Sequence, residues 1–259
     1  MRDNKLPINQ NTRKRRGNSR YFVYFVLILL GLAALGFGAF HLLSSLDVLN
    51  VHKIEISGNS AVADSLLRST LRPYIGKNLL KVDKDEILKE VSGFARVKDV
   101  KVRRKLFSTL QIKITERKAS LYVKSLDGDL FPVDDEGVVL ERYGKVYTEN
   151  LPLVNLLLNN SSLKSGFKLK NAALDKVLAT HKRIMKEAPE FAANVSEYYT
   201  IDNTVYIIDA RNGLRLIPSE KNLAKQLSRY EFVRDNGNIS QSSILDLRTD
   251  NQVVVKAGS

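Results

Sequence analysis

Between Tyr21 and Leu46 the chain carries no charged side chain, and YFVYFVLILLGLAALGFGAFHLL fills 23 consecutive positions, 21 to 43. As a helix rising about 1.5 Å per residue, this stretch is roughly 35 Å long, enough to cross a hydrocarbon core of about 30 Å with some tilt. A cleaved signal peptide is the competing reading. Its apolar region should run about 7–15 residues and end in a small-x-small site. This segment is longer and ends in Phe40-His41-Leu42-Leu43. Residues 21–43 are therefore expected to form one uncleaved transmembrane helix.

Charge orients that helix. Residues 1–20 hold seven basic side chains (Arg2, Lys5, Arg13, Lys14, Arg15, Arg16, Arg20) against Asp3, which is +6 of the chain's net +13. Arg13-Lys14-Arg15-Arg16 in isolation has the look of a nuclear-localisation or DNA-binding patch. Beside an apolar span it reads instead as the positive flank that stays inside, with Tyr21, Phe22 and Tyr24 as an interfacial aromatic belt. The expectation is a cytoplasmic basic tail (1–20), a span (21–43), and the rest of the chain outside the cytoplasmic membrane, with no nucleic-acid partner.

Residues 44–117 read as one module with its core in 51–117. In HKIEIS, His52, Ile54 and Ile56 share a face, as in a half-buried strand, and Gly58-Asn59 marks a turn. Val62, Leu66, Leu67 and Leu71 repeat at helical spacing up to Pro73. A second helix opens at Asp83, with Glu86 completing a capping-box-like pair, and runs through Ile87, Leu88, Val91 and Phe94. Val100 and Val102, then Leu110, Ile112 and Ile114, alternate as two further strands. The order β-α-α-β-β implies a three-stranded sheet with two helices on one face.

Residues 118–259 have another rhythm. SLYVKSL, FPV, VVLE and LPLVNLLL read as short strands. An amphipathic helix carries Leu174, Val177, Leu178, His181, Ile184, Met185 and Ala188 and stops at Pro189. VSEYYTI, TVYIID and LRLI suggest a meander, and a second helix is expected from a Ser219 N-cap to Asp235. ILDL and QVVVK close the chain. The fold class expected is thus a single-pass membrane protein with an α+β extracytoplasmic region, its second module a mostly antiparallel sheet with two helices.

Catalytic signals are weak. With no cysteine, the chain has neither disulfides nor thiolate chemistry. His41, His52 and His181 have no second ligand at helical spacing and read as packed or interfacial residues. Asp134-Asp135-Glu136 followed by Gly137 reads as a turn rather than a calcium loop. Nucleotide-binding and serine-hydrolase signatures are missing. No cofactor, metal or small-molecule substrate is expected, and the chain does not argue for an enzyme. Lys101, Arg103, Arg104 and Lys105 read first as a solvated basic face, with anionic headgroups or an acidic partner as the alternative.

The last strand raises a separate question. Val253-Val254-Val255 carries no proline or charge to blunt an open edge, and only Lys256 guards its end. It either accepts a partner strand by β-augmentation or lies inside the sheet between earlier strands, and spacing alone does not choose.

Several motifs, in their order, resemble one family. They are Val51-His52-Lys53-Ile54-Glu55-Ile56-Ser57-Gly58-Asn59, Gly76-Lys77-Asn78-Leu79-Leu80-Lys81-Val82-Asp83, Val97–Arg104, and Thr109-Leu110-Gln111-Ile112-Lys113-Ile114-Thr115-Glu116-Arg117. Asp135-Glu136-Gly137-Val138-Val139, Leu151-Pro152 and Asp246-Leu247-Arg248 follow. Together they resemble the FtsQ/DivIB family of bacterial cell-division proteins, the first module being similar to a POTRA domain. Two departures are Leu106-Phe107-Ser108 and Ala119, at positions where relatives often carry proline. The resemblance implies a non-catalytic scaffold of the inner membrane at the division septum. It implies partners of the FtsB and FtsL type, a part in recruiting or regulating septal peptidoglycan synthesis, and further divisome contacts through the POTRA-like module. Within the second domain it points to Arg248, Thr249, Gln252, Val253, Val254, Val255 and Lys256 as partner-binding residues. The alternative is an envelope assembly, secretion or peptidoglycan-binding protein that uses the same module. A secretion barrel would need many more strands than 118–259 can supply.

Overall fold

The computed structural model describes residues 19–43, 47–105, 108–142 and 150–257; most of the basic tail, 1–18, and the turn residues Leu106 and Phe107 lie outside them. Helix α1 (Ser19–Leu43) contains the apolar window Tyr21–Phe40, long and apolar enough to cross a membrane, with its side chains exposed along the helix.

Beyond α1 the chain builds β1 (Lys53–Ser57), α2 (Asp64–Leu71), α3 (Lys84–Ser92), β2 (Val97–Lys105) and β3 (Thr109–Glu116). The sheet order is β1-β3-β2, with β1 parallel and β2 antiparallel to β3. Leu67 and Leu71 of α2, with Ile87 and Val91 of α3, are buried against Leu110, Ile112 and Ile114 of the central strand. Fully burying side chains of this size contributes about 1.5–3 kcal/mol each. Asp83 caps α3, accepting from the Asp85 N–H rather than making the reciprocal box with Glu86. Gly58 sits at φ 88°, and a Cβ there would lie 2.0 Å from the Ile114 carbonyl oxygen, so the turn admits only glycine. His52 is exposed just ahead of β1 instead of packing with Ile54, because the strand and its alternation begin one residue later.

The second module holds β4 (Ala119–Lys124), β5 (Leu130–Asp134), β6 (Leu153–Asn155), α4 (Ala172–Glu187), α5 (Pro189–Ala192), β7 (Val195–Ile201), β8 (Thr204–Asp209), β9 (Arg215–Ile217), α6 (Leu223–Asn236), β10 (Ile244–Asp246) and β11 (Val254–Lys256). They form one eight-stranded sheet in the order β11-β10-β9-β8-β7-β6-β4-β5. Four of its seven pairings are antiparallel and three parallel, a mixed sheet. Parallel neighbours need crossovers, and α4 carries the chain from β6 to β7 as α6 carries it from β9 to β10. That is the structural use of the two amphipathic helices. Leu174, Val177, Leu178 and Ile184 of α4, and Leu223, Leu227 and Tyr230 of α6, are buried in the core of this sheet.

Local details differ from the sequence reading. VVLE forms isolated bridges, Val133 to Val139 and Val138 to Lys168, instead of a strand. LPLVNLLL contributes only three strand residues, and Leu157 is exposed. Pro189 both stops α4 and starts the extra short helix α5. Helix α6 begins at Leu223, four residues after Ser219. The Ser219 hydroxyl is taken up by the backbone of Lys221, and Asn222 enters the helix at φ 52°. Met185 projects outward from the α4 stripe.

The two modules are joined by charge. Glu116 accepts from the N–H groups of Ala61 and Val62 and so secures the loop ahead of α2. Next to it, Arg117 reaches forward, 2.6 Å from Asp134 Oδ2 and 2.8 Å from Glu136 Oε2. Lys98 of β2 lies 2.8 Å from Glu136. The Ala95 N–H donates to the Glu141 carboxylate, and the Arg96 guanidinium donates to the Glu141 carbonyl. Hydrogen bonds from Lys98 and Arg117 hold the Glu136 carboxyl down to a pKa of about 2. Asp134, Asp135 and Glu136 do form a turn, with Asp134 Oδ1 accepting from the Glu136 and Val138 N–H groups and Gly137 at φ 84°. The same carboxylates are the second module's grip on the first.

Candidate partner-docking edge

One row of directly paired residues crosses the whole of the large sheet. Phe131, Val123, Val154, Tyr198, Ile207, Leu216, Leu245 and Val255 stand opposite one another on β5, β4, β6, β7, β8, β9, β10 and β11. Directly paired residues project from the same face. Seven of the eight are buried, whereas Val255, the last of the row, is 50% exposed. The apolar row therefore runs out to the rim of the sheet and stops uncovered.

The terminal strand is the outermost one. Among the described residues β11 pairs with β10 alone, antiparallel, with Ile244 opposite Lys256, Leu245 opposite Val255 and Asp246 opposite Val254. In a strand the N–H and C=O of one residue point to the same side, and the side alternates along the chain. The Leu247 N–H donates to the Ile217 carbonyl of β9 at 2.9 Å. Leu245, two residues earlier, therefore also faces β9, while Ile244 and Asp246 face β11. The partners of those two residues, Lys256 and Val254, spend their backbone groups inside the sheet. Val255 presents its own N–H and C=O to the open side.

Three devices hold β11 in place. Arg248 Nη2 and Lys256 Nζ lie 2.6 and 2.8 Å from Asp246 Oδ2, and the Arg248 N–H donates to Asp246 Oδ1. Hydrogen bonds from Arg248, reinforced by Lys256, hold the nearly buried Asp246 carboxyl far below the usual carboxylate range despite its burial. Gln226 of α6 donates its side-chain N–H to the Thr249 carbonyl at 2.9 Å, and Arg229 donates to Asn251, which sits at φ 68° in the turn. Val253 packs on the core.

Of the residues singled out from sequence, Arg248 and Lys256 converge on one carboxylate, and Thr249 is tied to α6 through its backbone. Gln252 is exposed in the turn, Val253 and Val254 are half-buried, and Val255 is exposed at the rim. Sequence reasoning noted Asp246 only as part of the Asp246-Leu247-Arg248 motif, not as an anchor, and missed Gln226 altogether. The one signal for Gln226 was a polar residue on the apolar stripe of Leu223, Leu227 and Tyr230.

Elsewhere, His181 is buried, its Nδ1 3.0 Å from the Tyr198 hydroxyl, and burial lowers its pKa so that it is neutral at neutral pH. It helps line a groove of about 410 Å³ with Leu151, Pro152, Leu178, Met185 and Ala192. The side chain of His41 lies outside the described portion. Among the described residues no cluster of His, Asp and Glu suited to a metal ion occurs.

Residues 49–117 match the FtsQ-type POTRA domain. The chain is 27% identical over 169 residues to the cell division protein DivIB of Clostridium botulinum strain Hall, covering 64% of this chain and 62% of that protein. The chain is similar to the FtsQ/DivIB family of cell division proteins. It is also 21% identical over 201 residues to DivIB of Solibacillus silvestris, covering 76% of this chain and 66% of that one. To the cell division protein FtsQ of Streptomyces bingchenggensis it is 29% identical over 116 residues, covering 44% and 43%. The chain thus spans just under two thirds of the Clostridium DivIB it matches. Its architecture, an N-terminal apolar helix, a POTRA domain and a mixed β-sheet domain with helices, is of the FtsQ type.

Proposed function

We propose that this chain is a non-catalytic division scaffold that receives a strand from a partner on the open edge of β11. α1 anchors it in the cytoplasmic membrane with its N-terminus inside and both modules outside, at the septum. The partner is of the FtsB or FtsL type, and through it the scaffold helps recruit or regulate septal peptidoglycan synthesis. The observation that carries this reading is the apolar row ending at half-exposed Val255. A ninth strand would satisfy the Val255 N–H and C=O, cover its side chain, and extend a core row already continuous over eight strands. Arg248 and Lys256, both only half-buried, flank that strand's path and favour a partner with acidic side chains there. The sequence relatives are named division proteins, which supports the cellular setting.

A photo-crosslinking residue at position 255 in the full chain tests this in cells. It is expected to give an adduct with the FtsB-type partner, while the same residue at Lys124, on an interior strand, gives none. Absence of that adduct at 255, with the chain present in the membrane, refutes strand docking at this edge.

A further inference from the structure

The POTRA module has two ends of different electrostatic character. The end facing the second module has its cations paired, Lys98 with Glu136 and Arg117 with Asp134 and Glu136. The opposite end is built from residues 47–53, 72–82 and 103–105. Backbone bonds bring these segments together: the Val51 N–H donates to the Lys77 carbonyl, the Gly76 N–H to Val51, the Leu79 N–H to Leu49, and the His52 N–H to Ser108. Arg104 closes the set by donating to the Val82 carbonyl at 2.7 Å.

These three segments contain seven basic side chains (Lys53, Arg72, Lys77, Lys81, Arg103, Arg104, Lys105) and one acidic one, Asp47, a difference of +6. Glu55, just beyond, pairs with both Lys53 and Lys105 and offsets one of their two charges. Among the described residues Arg72, Lys77, Lys81 and Arg103 are exposed and form no ion pair with a carboxylate. Val48 (67% exposed) and Ile75 (54%) stand uncovered on the same end.

The tether fixes where this end lies. Asp47 follows Leu43, the last residue of α1, by four positions, which at full extension span no more than about 14 Å. We propose that this face rests on anionic phospholipid headgroups of the membrane that α1 crosses. Arg72, Lys77, Lys81 and Arg103 meet lipid phosphates, and Val48 and Ile75 enter the interface. The contact would hold the body at a fixed tilt and set the height at which β11 is presented. The inference rests on α1 as a membrane anchor but not on strand docking.

The test is hydrogen exchange on the full chain inserted in nanodiscs of phosphatidylcholine alone or of phosphatidylcholine with phosphatidylglycerol. Amides of 72–82 and 103–105 are expected to exchange more slowly in the anionic discs, by roughly fivefold or more, the factor given by even one basic group engaged at the surface. High salt should remove the difference. K77Q/K81Q/R103Q should lose it, while the core amides of Leu110–Ile114 stay protected and show that the variant folds. Equal exchange in both discs overturns the proposal, as does slowing that survives the triple substitution. So does equal slowing by an acidic polypeptide added to phosphatidylcholine discs. A chain that fails to insert at all refutes the anchor instead.

Discussion

Proline at position 255 separates the open side of β11 from its paired side. The Val255 N–H points away from β10, so Val255→Pro removes no bond of the folded domain, and an edge strand tolerates proline whose missing N–H faces outward. Its effect on stability should be within about 0.5 kcal/mol. In the complex the same change deletes one donor and leaves the partner's carbonyl unsatisfied, which costs about 1–3 kcal/mol. Binding of the full chain in detergent to an FtsB-type partner should therefore weaken roughly ten- to hundredfold at unchanged melting temperature. Val254→Pro is the contrast. Its N–H is spent on Asp246 of β10, so it should destabilise the domain by about 1–3 kcal/mol and release β11. Isothermal titration together with thermal unfolding reads both quantities. Wild-type affinity for Val255→Pro, or equal unfolding by both variants, refutes the assignment of the open edge.

Three further outcomes follow from the anchors. The folded pKa of Asp246 lies below its unfolded value of about 3.9, so its contribution is fully present above about pH 4–5 and fades as pH falls toward the folded value. Asp246→Asn should cost about 1–2 kcal/mol near neutrality, discounted because Arg248 and Lys256 are half-exposed, and should cost progressively less in acid, as pH-dependent unfolding would record. Arg117→Ala removes the grip on Asp134 and Glu136, so hydrogen exchange should speed up at 134–141 and 95–98 while both cores stay protected. Gly58→Ala drives a Cβ into the Ile114 carbonyl and should destabilise the POTRA module by about 3 kcal/mol or more in denaturant unfolding.

Where local pattern decided structure, the sequence was readable. The apolar span, the alternation of Leu110, Ile112 and Ile114, and the stripe of α4 each depend on neighbours a few residues apart, and each produced the element expected. Non-local facts were hidden. Nothing in LPLVNLLL says that only Leu153–Asn155 will be strand, because β6 is a strand by virtue of β4 and β7 on either side. Ser219 was a sound N-cap in isolation, and its hydroxyl was lost to Lys221. The mixed character of the sheet follows from the crossovers through α4 and α6, and strand spacing does not encode it. At the candidate edge the valines were visible but the register was not. The outward direction of the Val255 amide comes from a bond two strands away, between Leu247 and Ile217.

The most direct test of strand docking is residue-resolved hydrogen exchange of the Val254, Val255 and Lys256 amides, with and without the FtsB-type partner. Val254 and Lys256 should be protected in both states, and Val255 should be fast alone and slow in the complex. A Val255 amide protected in the free chain, or still fast when the partner is bound, contradicts the account.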